Sequence, residues 1–255
     1  MRAVDGDAET RAKPTIVLVH GSGHTARVWG DVQEHLGHGS LAVDLPGRAD
    51  RRADIADVRL ADAATSLAAD VRAATEGPVV LVGHSAGGIV LPALAARLGA
   101  RVAHLVFVAG LCAPAGGRVV ETVRPDAVPH LAELLAGFRE QYRGCMLDPD
   151  PSIEGVRAVD AKTAAPLDSL NYMEQVVSWD GVPAGMPRTF VRCLRDRIQA
   201  RELQAALIDN CGATDVVDLE SGHTPAVAVP GELAAILDGI ADRSPAPAAP
   251  AKIDE

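Results

Sequence analysis

Residues 78–98 read PVVLVGHSAGGIVLPALAARL, in which a Gly-His-Ser-Ala-Gly pentapeptide joins an apolar run to a run with helical character. This pattern predicts a sharp strand-to-helix turn that exposes a serine hydroxyl, because the strained backbone of such a turn tolerates only small neighbours. Gly83 and Gly87 are those neighbours, two residues before and two after Ser85. We therefore predict that Ser85 is a nucleophile. The alternative is an ordinary surface loop that contains glycine and serine by chance.

Along the rest of the chain, strand-like apolar runs also alternate with helical patterns. Short, continuously apolar runs are typical of strands that are buried on both faces of a parallel sheet. Such runs occupy residues 15–20, 40–44, 78–83, 104–110, 188–194 and 214–219. Helical patterns lie around residues 25–36, 60–75, 87–98, 200–210 and 231–241. The alternation predicts an α/β fold with a mostly parallel, doubly wound sheet.

One long interruption breaks this rhythm. Residues 111–186 separate two predicted strands, and a structureless loop of that length is improbable inside a domain. We predict that 111–186 forms an inserted, mainly helical cap over a core made of residues 15–110 and 187–242. Residues 1–14 are predicted to be a flexible N-terminus, and the proline- and alanine-rich residues 243–255 a disordered tail.

The composition limits the classes of partner. A formal net charge of −10 argues against nucleic acid or an anionic membrane. No apolar run approaches the roughly 20 residues of a membrane span, and the first residues lack the apolar stretch of a signal peptide, so we expect a cytoplasmic protein. The spacing of the four cysteines predicts free thiols rather than disulfides or a metal site. The oligomeric state is not readable from the sequence.

A serine nucleophile needs a base within hydrogen-bond reach, and that base needs an acid to fix its tautomer. His223 follows the last predicted strand, and Asp196 follows the preceding one. Both residues, like Ser85, are therefore expected at the carboxyl edge of the sheet, where open α/β sheets place their sites. Asp215 and Asp218 are nearby alternatives for the acid, but Asp218 belongs inside the last strand rather than at its exit.

Backbone N–H groups are the usual donors to the negative charge that develops during acyl transfer. We predict the N–H groups of Ala86, at the start of a helix, and of Ser22, in the glycine-rich loop after the first strand, as these oxyanion donors. His20 and His24 are expected to brace that loop. His84 is expected to pack between the sheet and a helix.

The chain resembles the α/β-hydrolase superfamily, and in particular the branch of plant methyl esterases, hydroxynitrile lyases and bacterial carboxylesterases. The resemblance rests on the segments VLVHGSGHTARVW, DLPGR, VGHSAGG, FVRCLRDR and SGHTP. It implies a Ser-Asp-His triad of Ser85, Asp196 and His223, a cap-covered apolar pocket and no cofactor. The lyases carry threonine and lysine where this chain has Gly21 and Thr224, so cyanohydrin cleavage is disfavoured.

The predicted substrate pocket comprises Gly21 and His24 on the loop and the aromatic residues of the cap, which can line a pocket or fill a small core. These aromatic residues are Phe138, Tyr142, Tyr172 and Trp179. The sequence thus predicts a serine hydrolase of the carboxylesterase type that cleaves a hydrophobic small-molecule ester or lactone. The alternatives on the same scaffold are a type II thioesterase, a non-hydrolytic tailoring enzyme or a ligand-binding protein.

Overall fold

Six parallel strands form one sheet within the residues that the computed structural model describes, namely 13–49, 51, 53, 58–123 and 171–244. The strands are β1 (Thr15–Val19), β2 (Ser40–Val43), β3 (Val79–His84), β4 (Val102–Val108), β5 (Arg188–Cys193) and β6 (Asp215–Leu219). Their order is β2-β1-β3-β4-β5-β6, with every neighbouring pair parallel. Because β2 and β3 flank β1 on opposite sides, the chain reverses its direction across the sheet there, and open α/β sheets place their sites at the carboxyl ends of the strands beside such a reversal.

Helices cover both faces of this sheet. They are α1 (Gly30–His35), α2 (Leu60–Ala74), α3 (Gly87–Leu98), α4 (Val119–Val123), α5 (Asn171–Glu174), α6 (Arg201–Cys211), α7 (Pro225–Ala228) and α8 (Pro230–Arg243), with 3-10 turns at Ala26–Trp29 and Gly99–Arg101. Val17 and Val19 of β1 pack on one face with α2, α3 and α6, whereas Ile16 and Leu18 pack on the other with α1 and α8. The predicted doubly wound α/β fold is thus confirmed.

The edge strand β6 is more exposed than the sequence predicts. Asp215, Val216 and Asp218 are exposed, and within the strand only Leu219 is buried. Burial on both faces is therefore wrong for this strand, because an edge position leaves part of its surface to solvent. Ion pairs lie along this edge, with N–O distances of 2.7, 2.8 and 4.0 Å for Arg192–Asp218, Arg195–Glu220 and Arg243–Asp215.

The helix boundaries differ from the predicted ones mainly at two places. The predicted helix around 25–36 is divided into the 3-10 turn and the short α1. Helix α8 continues to Arg243, where the predicted tail begins, and the Ser244 hydroxyl donates to Ile240 O in its last turn. Residues 1–12 and 245–255 lie outside the described residues. No helix within the described residues combines the length and apolar character needed to cross a membrane.

The described ends of segment 111–186 meet each other at the sheet. Gly116 N–H donates to Val177 O, and Val177 N–H donates to Gly117 O. Val119, Tyr172 and Val177 are buried in the same apolar cluster as α2 and α3. Residues 124–170 lie outside the described residues, so the interpretation of the whole segment as a cap stays a prediction.

Candidate active site

The turn between β3 and α3 is built as the GxSxG pattern predicts. Ser85 has φ +47°, a left-handed conformation that costs energy for a residue with a side chain. A Cβ on Gly83 would lie 2.8 Å from the backbone of Gly87, and a Cβ on Gly87 would lie 2.6 Å from His20 O. Both glycines are therefore required by close backbone contacts, and the turn leaves Ser85 half-buried rather than enclosed.

The segment after β4 holds this turn from one side. Ser85 N–H donates to Val108 O (3.1 Å), and Leu111 N–H donates to Ser85 O (2.8 Å). Between them, Ala109 also has a positive φ, +41°, and its N–H donates to Val191 O. The position of Ser85 thus depends on the exit of β4 as well as on its own strand.

Ser85, His223 and Asp196 come together at the carboxyl edge of the sheet. His223 Nε2 lies 3.0 Å from Ser85 Oγ, and His223 Nδ1 lies 2.7 Å from Asp196 Oδ2. The other carboxylate oxygen, Oδ1, accepts from the N–H groups of Ile198 and Gln199, each at 2.8 Å. The Asp196 side chain is fully buried and that of His223 is 10% exposed. Since the carboxylate fixes the proton on Nδ1, Nε2 can accept a proton from the serine.

Asp218, the alternative acid, lies elsewhere. It sits within β6, as predicted, and both of its carboxylate oxygens accept from Arg192. This ion pair lowers the pKa of the exposed Asp218. Asp218 therefore pairs with Arg192 on a neighbouring strand, whereas Asp196 bonds to His223.

The loop after β1 is braced by its histidines, as predicted. His20 Nδ1–H donates to Gly21 O (2.8 Å), and its Nε2 accepts from Leu45 N–H (3.2 Å). His24 Nδ1–H donates to Ser22 O (3.0 Å). Burial lowers the pKa of both histidines to about 4, so they are neutral near pH 7 and add no positive charge beside His223.

This loop lies directly against the serine turn. A Cβ on Gly21 would lie 3.0 Å from Ser85 Cβ, so the loop passes beside Ser85. The pocket role of Gly21 and His24 stays a prediction. Ser22 follows Gly21 and is half-buried. Ala86 immediately precedes α3, so its N–H lies at the positive end of the helix dipole. The role of Ser22 and Ala86 as oxyanion donors stays a prediction.

His84 makes a contact that the sequence did not indicate. Instead of only packing between sheet and helix, its buried ring donates Nε2–H to His223 O at 2.7 Å. The ring centroid lies 6.1 Å from that of His24 and 6.3 Å from that of Trp29. Burial lowers the pKa of His84 well below its usual value, so it is neutral. The residue before the serine thus anchors the backbone of His223.

The predicted pocket aromatics that the structure describes are packed against the core. Tyr172 is 4% exposed. Trp179 is half-buried, its Nε1–H donates to Ala113 O (3.1 Å), and the Arg188 guanidinium lies 4.2 Å from its ring centroid. Phe138 and Tyr142 lie outside the described residues. A pocket role for these four residues stays a prediction.

Thiol and metal chemistry find little support in the described part of the chain. Cys112, Cys193 and Cys211 are free and buried, and burial raises the pKa of each thiol, which keeps it protonated and unreactive. Within the described residues, no group of three or more His, Cys, Asp or Glu side chains is arranged to hold a metal ion. Cys145 lies outside these residues.

Comparison with known proteins decides the family. Residues 16–236, most of the chain, match the pattern of the alpha/beta hydrolase family. The chain belongs to that family. Lipase LipV of Mycobacterium tuberculosis is 31% identical to this α/β hydrolase over 241 residues, 87% of this chain and 91% of that relative. Methylesterase 17 of Arabidopsis thaliana is 25% identical over 253 residues, 89% and 91% of the two chains.

Solved structures give the same fold. The crystal structure of a pyrethroid hydrolase from Sphingobium faniae JZ-2 matches this α/β hydrolase with a TM-score of 0.75 and 23% identity, over 90% of this chain and 98% of that chain. The predicted fold class and the predicted branch, with its methyl esterases and bacterial esterases, are therefore confirmed.

Proposed function

We propose that this α/β hydrolase is a serine hydrolase of the carboxylesterase type, which cleaves a hydrophobic small-molecule ester or lactone through an acyl-enzyme on Ser85. The observation that carries the proposal is the hydrogen-bonded series Ser85–His223–Asp196, with N–O distances of 3.0 and 2.7 Å. The relatives named lipase and methylesterase support an enzyme that cleaves ester bonds.

In the acylation step, Ser85 Oγ attacks the carbonyl carbon of the substrate while its proton passes to His223 Nε2. Asp196 Oδ2 stabilises the imidazolium that forms, and the two N–H groups on Oδ1 keep the carboxylate from turning away. The N–H groups of Ser22 and Ala86 stabilise the negative charge on the carbonyl oxygen. The attack forms a tetrahedral intermediate. When this intermediate collapses, the alcohol leaves and takes the proton from His223.

In the deacylation step, a water molecule attacks the acyl group on Ser85 while His223 Nε2 takes its proton. The second intermediate collapses, the acid leaves, and the proton returns to Ser85 Oγ. Each proton that His223 accepts is thus returned within the cycle. The reaction as written consumes one water and needs no cofactor.

Substrate selection is assigned to segment 111–186 together with Gly21 and His24. Two contacts support a cap over the nucleophile: Leu111, at the start of the segment, bonds to Ser85 O, and Trp179, near its end, bonds to Ala113 O. Within the described residues, the histidines around the serine turn are neutral near pH 7, which supports an uncharged substrate, because they offer no opposite charge to an anionic group.

A fluorophosphonate probe and a series of p-nitrophenyl esters test the proposal. Wild-type protein should take up the probe and hydrolyse the esters, whereas Ser85→Ala should do neither while keeping its fold. Ser40→Ala, which removes a hydroxyl on β2 that bonds to Gln33, is the matched control and should behave as wild type.

Three outcomes would contradict the proposal in different ways. Equal labelling of wild type and Ser85→Ala would remove Ser85 as nucleophile. Preference for an acyl-thioester over every oxygen ester would favour the type II thioesterase. Labelling without turnover of any ester or thioester would favour a non-hydrolytic or ligand-binding role.

A further inference from the structure

Gln199 lies between two segments that hold the site together. We call residues 196–199, after β5, the acid turn, and residues 108–111 the β4 exit. Gln199 is 2% exposed. Its backbone N–H donates to Asp196 Oδ1 at 2.8 Å, and its side-chain Nε2 donates to Ala109 O at 2.8 Å. One buried residue therefore bonds to the carboxylate of the acid turn and to the β4 exit.

The β4 exit in turn holds Ser85 through Val108 O and Leu111 N–H. Ala109 lies between these two contacts in a left-handed conformation that is strained for a residue with a side chain. Such a conformation persists only when its surroundings fix it. The Gln199 side-chain amide contributes to this by donating a hydrogen bond to the Ala109 carbonyl. Hydrogen bonds thus run from Ser85 through the β4 exit and Gln199 to Asp196.

The two ends of the Gln199 amide differ in their contacts. Gln199 Oε1 is buried, and it has no hydrogen-bond partner in the part of the chain that the structure describes. An unpaired buried acceptor costs at least as much free energy as one neutral hydrogen bond contributes. Within the described residues, the bond from Nε2 to Ala109 O is therefore the side-chain contact that favours an amide at this position.

We propose that Gln199 is a positioning residue that sets the location of the Asp196–His223 pair relative to Ser85. This inference rests on the proposed function, because the pair needs a fixed position relative to Ser85 only if the three residues act together. Without Nε2, the Ala109 carbonyl can turn and the β4 exit can shift against the acid turn. A misplacement of about 1 Å can cost about 100-fold in rate.

Gln199→Met tests the proposal, because methionine keeps the length of the side chain and removes the donor. We expect kcat for p-nitrophenyl butyrate to fall about 10- to 100-fold with KM nearly unchanged. Thr189→Val is the matched control. It removes a half-buried contact between β4 and β5 at the opposite end of the strands, where His104 Nε2 and Thr189 Oγ1 are 2.8 Å apart. This control should lower the midpoint of thermal unfolding and leave kcat and KM unchanged.

A double-mutant cycle separates positioning from a general effect. Combined with Asp196→Asn, Gln199→Met should change kcat by less than about twofold, because the pair that it positions no longer works. An equal loss in both backgrounds, or a loss no larger than that of Thr189→Val, would overturn the proposal. If Gln199→Met does not fold, Gln199→Leu is held to the same criteria, and failure of both to fold would make Gln199 a structural residue. Turnover by Ser85→Ala would instead overturn the proposed function.

Discussion

Asp196→Asn should remove most of the turnover while preserving the shape of the site. The N–H groups of Ile198 and Gln199 both donate to Asp196 Oδ1. They require an oxygen there, so the introduced amide turns its NH₂ group toward His223 Nδ1. A donor then faces this nitrogen, and the imidazole carries its proton on Nε2 instead. In that tautomer His223 cannot accept the proton of Ser85.

The size of the loss follows from the same contacts. If the amide oxygen turned toward His223, its NH₂ group would face two N–H donors. Each unsatisfied buried donor costs about 1–3 kcal/mol, so the productive orientation costs about 2–6 kcal/mol. At about 1.4 kcal/mol per factor of ten, its population falls to roughly 1 in 30 to 1 in 20,000. We expect kcat to fall about 30- to 20,000-fold. The equivalent change in a serine protease costs about 10⁴.

The assay is kcat on p-nitrophenyl butyrate near neutral pH, with the fold checked by circular dichroism. Asp218→Asn is the matched control, because Asp218 is an exposed aspartate that pairs with Arg192 on the neighbouring strand. An exposed ion pair contributes at most about 1 kcal/mol, so this variant should retain its kcat and nearly all of its stability. Retention of more than about a tenth of wild-type kcat by Asp196→Asn would refute the reasoning.

Three further predictions concern the surroundings of the site. Gly87→Ala places a Cβ 2.6 Å from a backbone oxygen and should lower the midpoint of thermal unfolding by several degrees or prevent folding. Gly39→Ala, whose Cβ would meet nothing within 4 Å, should do neither. Equal unfolding midpoints for the two variants would contradict this. His84→Leu removes the donor to His223 O and should lower kcat about tenfold. His84→Gln keeps an N–H donor and should recover most of that kcat. Identical kcat values in the two variants would exclude this anchoring role. Burial lowers the folded-state pKa of His20 and His24 to about 4 and that of His84 well below its usual value, so the unfolded chain binds more protons below pH 6.5. The free energy of unfolding should therefore be highest above pH 6.5 and fall below it by of order 1 kcal/mol per pH unit for each of these histidines. Urea unfolding from pH 7 to 5 tests this, and a constant free energy over that range would contradict it.

The inner strands were predictable because burial on both faces leaves a local mark in the sequence. All six residues of β3 are buried, and its run VVLVGH contains no charged residue. The partial exposure of β6 was not predictable in this way. Its sequence DVVDL has the same β-branched character, but its position at the edge depends on the strand order, which arises only when the whole sheet assembles.

Ser85, Asp196 and His223 were predictable as neighbours because each follows a strand of one parallel sheet. The contacts that hold them were not. His84 donates to the carbonyl of His223, 139 positions away, and Gln199 donates to the carbonyl of Ala109, 90 positions away. Every residue has a carbonyl, so the acceptor leaves no mark in the sequence. Such contacts become visible only in three dimensions.

The ion pairs along β6 also bear on how separate molecules meet in solution. An edge strand offers unpaired N–H and C=O groups on which a strand of a second copy can add, and charged side chains oppose this self-association. Two β6 edges that approach each other would bring Asp215 and Asp218 of both copies together and would have to strip water from their ion pairs. Salt screens exposed charges, over a distance of about 3 Å at 1 M ionic strength, so this protection is strongest in dilute buffer and weakens in concentrated salt.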